Sequence, residues 1–242
     1  MTRINLVSTP RLKNSLMVVG LPGIGNIGKV SVEYLIYKLK GKLFAEMYSE
    51  HLPEWTVLED GRLKSLKINF YHARPPGADM DMVMLTADAQ ASAPVGQYVL
   101  TGEILEMARK FGIETVGAMA AYVVPPRERW SGVVGAASDS KWRKTLETHG
   151  IRLLDGGTIV GMNGLLPAMA PLYGMGGFCL LGATRGEIVD IRASRAVLTS
   201  LCEMLGFELD MEELTQYSDV GRLRALIPPP GAGPEEEPGY IR

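Results

Sequence analysis

Short unbroken apolar runs alternate along this chain with longer stretches of one-face helical spacing. Leu16-Met17-Val18-Val19-Gly20 has no polar interruption and leads into Leu21-Pro22-Gly23, the pattern of a buried strand ending in a turn. A helix is predicted over about 26–40, closed by Gly41, and a second strand over 43–49. Asp60-Gly61, within Glu59-Asp60-Gly61-Arg62, separates two runs rich in β formers and signals a hairpin. Further strands are expected at 82–86, 114–124, 133–137, 158–160 and 178–181, with helices at 94–111, 141–149, 165–173 and 192–205. Val197, Leu198, Leu201 and Leu205 share one face of the last of these, and Gly206 stops it. Asp210 and Glu213 have capping-box spacing, with Leu209 and Leu214 placed as a staple, so another helix is expected from 211. Strands alternating with helices imply an α/β fold, a three-layer α/β/α sandwich with a largely parallel central sheet.

From Pro228 onward, eight of fifteen residues are Pro or Gly, too little apolar surface to offset ordering entropy. The expected organisation is one domain over 1–227 and a flexible tail over 228–242. Between Asp155 and Arg185 no residue is charged, a length that raises the question of a membrane span. Eight Gly and two Pro in that stretch fit a strand, turn and helix of a soluble core instead.

The 242 residues are 46% apolar, which suffices for one core of ordinary size. The 25 Lys+Arg nearly cancel the 27 Asp+Glu, and setting aside Glu235, Glu236, Glu237 and Arg242 leaves 24 of each in residues 1–227. A neutral body gives no charge-based reason to expect nucleic-acid binding. Cys179 and Cys202 have no second Cys or His at ligand spacing and read as buried thiols of a reducing cytoplasm, with no metal site. The N-terminal residues lack a basic-then-apolar secretion pattern, so the expected location is cytoplasmic.

Gly23-Ile24-Gly25-Asn26-Ile27-Gly28-Lys29 follows a predicted strand and opens a predicted helix. Read as G-x-G-x-x-G, it would let a pyrophosphate approach the backbone, with Glu46 placed to meet a ribose hydroxyl. Read as G-x-x-x-x-G-K, it lacks the final hydroxyl residue, since Val30 stands there. The alternative is that Gly23, Gly25, Asn26 and Gly28 serve only a sharp turn and close packing. Asp88, Gln90, Arg127 and Asn163 lie in other turns expected along the same sheet edge, where open α/β sheets bind ligands. No G-x-S-x-G elbow or H-E-x-x-H pair occurs, His51, His72 and His149 are scattered, and no catalytic residue is assigned.

At 100° per residue the first helix carries two apolar faces. Val32, Leu35, Ile36 and Leu39 can cover the sheet, while Ile27, Val30, Tyr34 and Tyr37 fall almost opposite. The second face needs cover from the same chain or from another subunit, and the expectation taken from it is a homo-oligomer.

The run Val18 to Gly28, Glu59 to Leu63, Thr86-Ala87-Asp88-Ala89-Gln90, Gly161-Met162-Asn163-Gly164-Leu165-Leu166 and the stretch 190–196 together resemble the proteasome-assembly-chaperone-2 family, over about residues 5–220. The resemblance implies a fold similar to nucleoside phosphorylases, a homo-oligomer, no cofactor, no established catalytic residues and proteasome core subunits as partners. It also implies docking through a C-terminal hydrophobic-Tyr-any tripeptide. Here Tyr240, Ile241 and Arg242 end the chain, so Tyr240 stands third from last rather than second. The expected function is a non-enzymatic protein-binding protein similar to a proteasome assembly chaperone; the alternative is an enzyme or sensor for a nucleotide or phosphorylated small molecule at the Gly23 to Gly28 turn.

Overall fold

The computed structural model describes residues 1–125 and 130–214. Arg127, the end of the expected domain at 227 and the tail with Tyr240, Ile241 and Arg242 lie outside the described residues. In chain order the elements are β1 (Arg3–Leu6), β2 (Ser15–Gly20), α1 (Ile27–Lys38), β3 (Lys42–Tyr48), β4 (Thr56–Glu59), β5 (Arg62–Ser65), β6 (Ile68–Ala73) and β7 (Met82–Ala87). Then follow α2 (Pro94–Lys110), β8 (Ile113–Val123), β9 (Val133–Ala137), α3 (Ser140–Thr148), β10 (Arg152–Leu153), α4 (Met162–Met169), β11 (Gly176–Thr184) and α5 (Ile191–Leu205).

Nine strands form one sheet in the order β1-β3-β6-β7-β2-β8-β11-β9-β10. Its centre, β7-β2-β8-β11, is parallel. The expected largely parallel sheet is nonetheless corrected to a mixed one, because β1, β3, β6 and β7 pair antiparallel in succession and β9 runs antiparallel to β11. The physical reason lies in the connections. Parallel neighbours need a crossover, whereas β3 reaches β6 through the β4–β5 hairpin, with no helix between them. Residues 158–160, expected as a strand, form none, and the short β10 and the edge strand β1 were not foreseen.

Helices cover both faces of the centre. In β2, Leu16 and Val18 pack with α1, α3 and α5, while Met17 and Val19 pack with α2 and α4. A strand buried on both faces has no polar position to alternate with, which is why its sequence reads as an unbroken apolar run.

The second apolar face of α1 is covered from within the chain. Ile27, Val30 and Tyr34 are buried in one cluster with Val197, Leu198 and Leu201 of α5 and with Phe207 and Leu214. The Tyr34 hydroxyl donates to the Asp210 carbonyl at 2.7 Å. Tyr37 stays half exposed and donates to Glu213 at 3.0 Å. This corrects the assignment of Ile27, Val30 and Tyr34 to a subunit interface: the one-face stripe of α5 and the segment after it supply the missing cover. The expected capping box is also put to other use. Asp210 accepts from the Glu212 N–H at 2.9 Å, but Glu213 takes the Tyr37 hydroxyl.

Candidate functional site

The turn after β2 is fixed by close backbone contact. A Cβ on Gly28 would stand 2.1 Å from the Met119 carbonyl oxygen, and one on Gly20 2.0 Å from that of Gly28, so α1 rests directly on β2 and β8. Gly25 has φ +65°, the left-handed region that favours glycine. Its carbonyl accepts from the Asp190 N–H at 2.9 Å, and Asn26 donates through Nδ2 to the Ile188 carbonyl at 3.1 Å. The loop after β11 is thereby tied across the start of α1.

Three of the residues expected at this edge come together. Asn163 Oδ1 accepts from the Leu21 N–H at 3.0 Å while its Nδ2 donates to the Leu21 carbonyl at 3.1 Å. Gln90 Nε2 donates to the Pro22 carbonyl at 2.6 Å, and its Oε1 accepts from the Met162 N–H at 2.7 Å. Gly23 has these two amides as its nearest surroundings. The polar side chains at the strand ends thus knit loops to one another. Asp88, two residues before Gln90 in the chain, is engaged with Lys67, its Oδ2 accepting from the Lys67 N–H at 3.0 Å. Burial raises its carboxyl above the ordinary range, against the lowering pull of that N–H and of Lys29 and Lys67.

Both residues that a nucleotide would need beyond the turn are engaged elsewhere. Lys29 is turned inward with its side chain 4% exposed, donating to the Ala87 carbonyl at 2.7 Å and pairing with Glu33 at 2.7 Å. Glu46 lies on β3, three strands from β2, or about 14 Å at the usual strand spacing. Its carboxylate pairs with Lys67 and accepts from Asn5 at 3.1 Å. In a dinucleotide fold the acid follows on the neighbouring strand. Here β2 has β7 and β8 beside it, a difference that no spacing within the motif reveals.

Among the described residues no other chemistry gathers at this edge. Among the described residues no three of His, Cys, Asp or Glu are grouped to hold a metal. Burial pushes the Cys179 and Cys202 thiols up to about 12, leaving them protonated and inert near neutrality. His51 packs on Gly96, His72 lies edge-on to Phe44, and His149 bonds the Thr145 carbonyl, three separate places.

What the sequence reading missed at this edge is apolar. Ile24, Val95, Tyr98, Val123, Val160 and Ile188 are exposed, each at or near the carboxyl ends of the four parallel strands. The β4–β5 hairpin rises from the same edge, since β3 runs in the direction of β7. In it Leu58 and Leu63 stand directly opposite each other at 68% and 76% exposure. The signal was available, because a two-residue Asp60-Gly61 turn makes 58 and 63 partners two positions from the tip.

Comparison with known proteins places these features in a family. The chain is 35% identical over 205 residues to an uncharacterised protein of Methanocaldococcus jannaschii, covering 84% of this chain and 78% of that one. Its fold matches the crystal structure of PbaB from Pyrococcus furiosus, an archaeal proteasome activator, with TM-score 0.82 and 31% identity, covering 91% of this chain and 95% of that one. It also matches PbaA of the same organism, an archaeal homolog of proteasome-assembly chaperone, with TM-score 0.74 and 26% identity over 92% and 94% of the two chains. The sequence profile of the PAC2 family matches residues 17–220, and the chain belongs to the PAC2 family.

Proposed function

We propose that this chain is a non-enzymatic, homo-oligomeric protein-binding protein of the cytoplasm that engages proteasome core subunits as an assembly chaperone or activator does. The observation that carries the reading is the character of the carboxyl edge. Its polar side chains Gln90 and Asn163 are spent on backbone groups, while Leu58, Leu63 and the aliphatic residues along the edge face solvent. Exposed apolar surface of this kind suits a protein partner better than a phosphate. The likeness to PbaB and PbaA supports the choice of partner. In fold we place the chain, as the family resemblance implies, beside the nucleoside phosphorylase-like sandwiches. The second proposed contact is the terminal Tyr240, Ile241 and Arg242.

The test is surface plasmon resonance on immobilised core particle from the same source, with light scattering for subunit number. Leu58→Ser combined with Leu63→Ser should weaken binding while leaving the melting temperature unchanged, because both side chains already face water. Deleting Arg242 makes Tyr240 penultimate and should tighten binding. A chain that binds no core particle in any of these forms, or that is monomeric at micromolar concentration, defeats the proposal.

A further inference from the structure

Self-association needs a surface that the fold leaves open. The second face of α1 is covered within the chain, and β10, which ends the sheet on one side, is two residues long. The strand that ends it on the other side, β1, is open along its whole length. All four of its residues are exposed, and so are Val7, Ser8 and Thr9 after it. Ile4, Leu6 and Val7 keep 46%, 54% and 56% exposure although all three are apolar.

The pairing with β3 fixes which backbone groups point outward. Arg3, Ile4, Asn5 and Leu6 stand opposite Tyr48, Met47, Glu46 and Ala45, and the Val7 N–H donates to the Phe44 carbonyl at 2.8 Å, one step further in the same register. Hydrogen-bonded pairs alternate along an antiparallel ladder. Arg3, Asn5 and Val7 therefore turn their N–H and carbonyl toward β3, while Ile4 and Leu6 turn theirs away. Among the described residues nothing pairs with those four groups. The strand carries neither Pro nor Lys, residues that commonly blunt such an edge. The Ser8 N–H donates to the same Phe44 carbonyl at 3.2 Å, a bulge that ends the ladder and limits the open template to β1 itself.

We propose that β1 pairs with β1 of a second copy of this chain, antiparallel about a two-fold axis at Asn5. The inference rests on the homo-oligomeric reading and names its interface. In that register Ile4 lies opposite the partner's Leu6, and Leu6 opposite the partner's Ile4, so the four outward groups of each copy meet in four hydrogen bonds. A two-fold axis at Ile4 or at Leu6 would send half of these groups to Thr2 or to Ser8, outside the strand, and the Ser8 N–H is already given to Phe44. The two Ile–Leu pairs join on one face of the extended sheet. Arg3, the one charged residue of β1, comes opposite the partner's Val7. The two Arg3 are then four residues out of step, about 14 Å, which is beyond a Debye length. Arg3 also lines a groove of about 410 Å³ with Tyr48, Leu52, Pro53 and Trp55, and the partner's Val7 is brought to its rim. A second copy meets all of these conditions through symmetry alone.

The experiment measures the subunit number of the full chain by light scattering at micromolar concentration, and the cross-linking of two cysteine variants in oxidised glutathione. Asn5 faces the partner's Asn5 as a non-hydrogen-bonded pair with Cα atoms about 4.5 Å apart, within disulfide reach. The two Ile4 are two residues out of step, about 8–9 Å apart and out of reach. Asn5→Cys should therefore form a covalent dimer and Ile4→Cys should not; Cys179 and Cys202 are buried and do not compete. Leu6→Pro removes an outward N–H that β3 does not use, so it should halve the subunit number while the chain still unfolds in one cooperative transition. Equal cross-linking of both cysteine variants, none in Asn5→Cys, an unchanged subunit number in Leu6→Pro or an odd subunit number in the wild type would overturn the pairing and leave self-association standing. A monomeric wild type would remove both. Loss of core-particle binding by Leu6→Pro at unchanged subunit number would give the edge to a strand of the core particle instead.

Discussion

Asn163 makes a two-bond pair with the backbone of Leu21, 142 residues earlier in the chain, as a neighbouring strand would. Its side chain amide meets both the N–H and the carbonyl that β2 would otherwise leave open just past its end. The start of α4 is thereby locked to the turn after β2, and the carboxyl edge becomes one body.

Replacing Asn163 should therefore cost stability before it costs any binding. Asn163→Leu leaves two buried backbone groups without partners, and at about 1–3 kcal/mol each we expect a loss of several kcal/mol in urea unfolding. Asn163→Asp separates the two bonds. Ionised, the aspartate opposes the Leu21 carbonyl; protonated, it can donate to it. Its carboxyl would be raised in the folded state, so the variant should gain stability relative to the wild type as pH falls and lose it as pH rises. A pH-independent difference between the two proteins would contradict this geometry.

Gly28→Ala places a methyl group 2.1 Å from the Met119 carbonyl. Neither atom belongs to a flexible side chain, so α1 must lift from β8. We expect destabilisation at the upper end of the usual overpacking cost of about 1–3 kcal/mol, with no ligand present. A variant that melts like the wild type would mean that the helix seats more loosely than described.

The Tyr34 hydroxyl holds the segment after α5 through the Asp210 carbonyl. Tyr34→Phe should cost about 1 kcal/mol and raise amide exchange in residues 207–214, after α5, ahead of exchange in α1. Tyr34→Glu should unfold the subunit rather than dissociate subunits, because Tyr34 is wholly buried inside its own chain. A folded monomer from that variant would restore the interface reading.

Asp88 gives a pH dependence of definite sign. Its folded pKa is raised, with burial the largest cause, so the native state holds the proton more tightly than the unfolded chain. Its contribution is fully present below the ordinary aspartate pKa and is lost as pH rises through the raised one. Asp88→Asn keeps an acceptor for the Lys67 N–H and removes the titration. The stability difference, variant minus wild type, should grow as pH rises from 4 to 7 in parallel urea titrations. A flat difference would place no shifted carboxyl at this position.

The sequence by itself determined what depends on near neighbours along the chain. The unbroken run in β2, the one-face stripe of α5 and the Asp60-Gly61 hairpin are set by side-chain period and by turn chemistry, so residue order suffices to read them. The glycines of the first turn were legible as backbone requirements for the same reason. Tertiary structure decided everything that joins distant segments. Whether α1 meets another subunit or α5, whether Lys29 points at a phosphate or at Ala87, and whether β3 lies beside β2 or three strands away all depend on strand order, and the same local pattern fits either outcome. Asn5, Glu46, Asn69 and Thr86 are the extreme case: they lie singly on β1, β3, β6 and β7, and only antiparallel register makes them successive cross-strand partners.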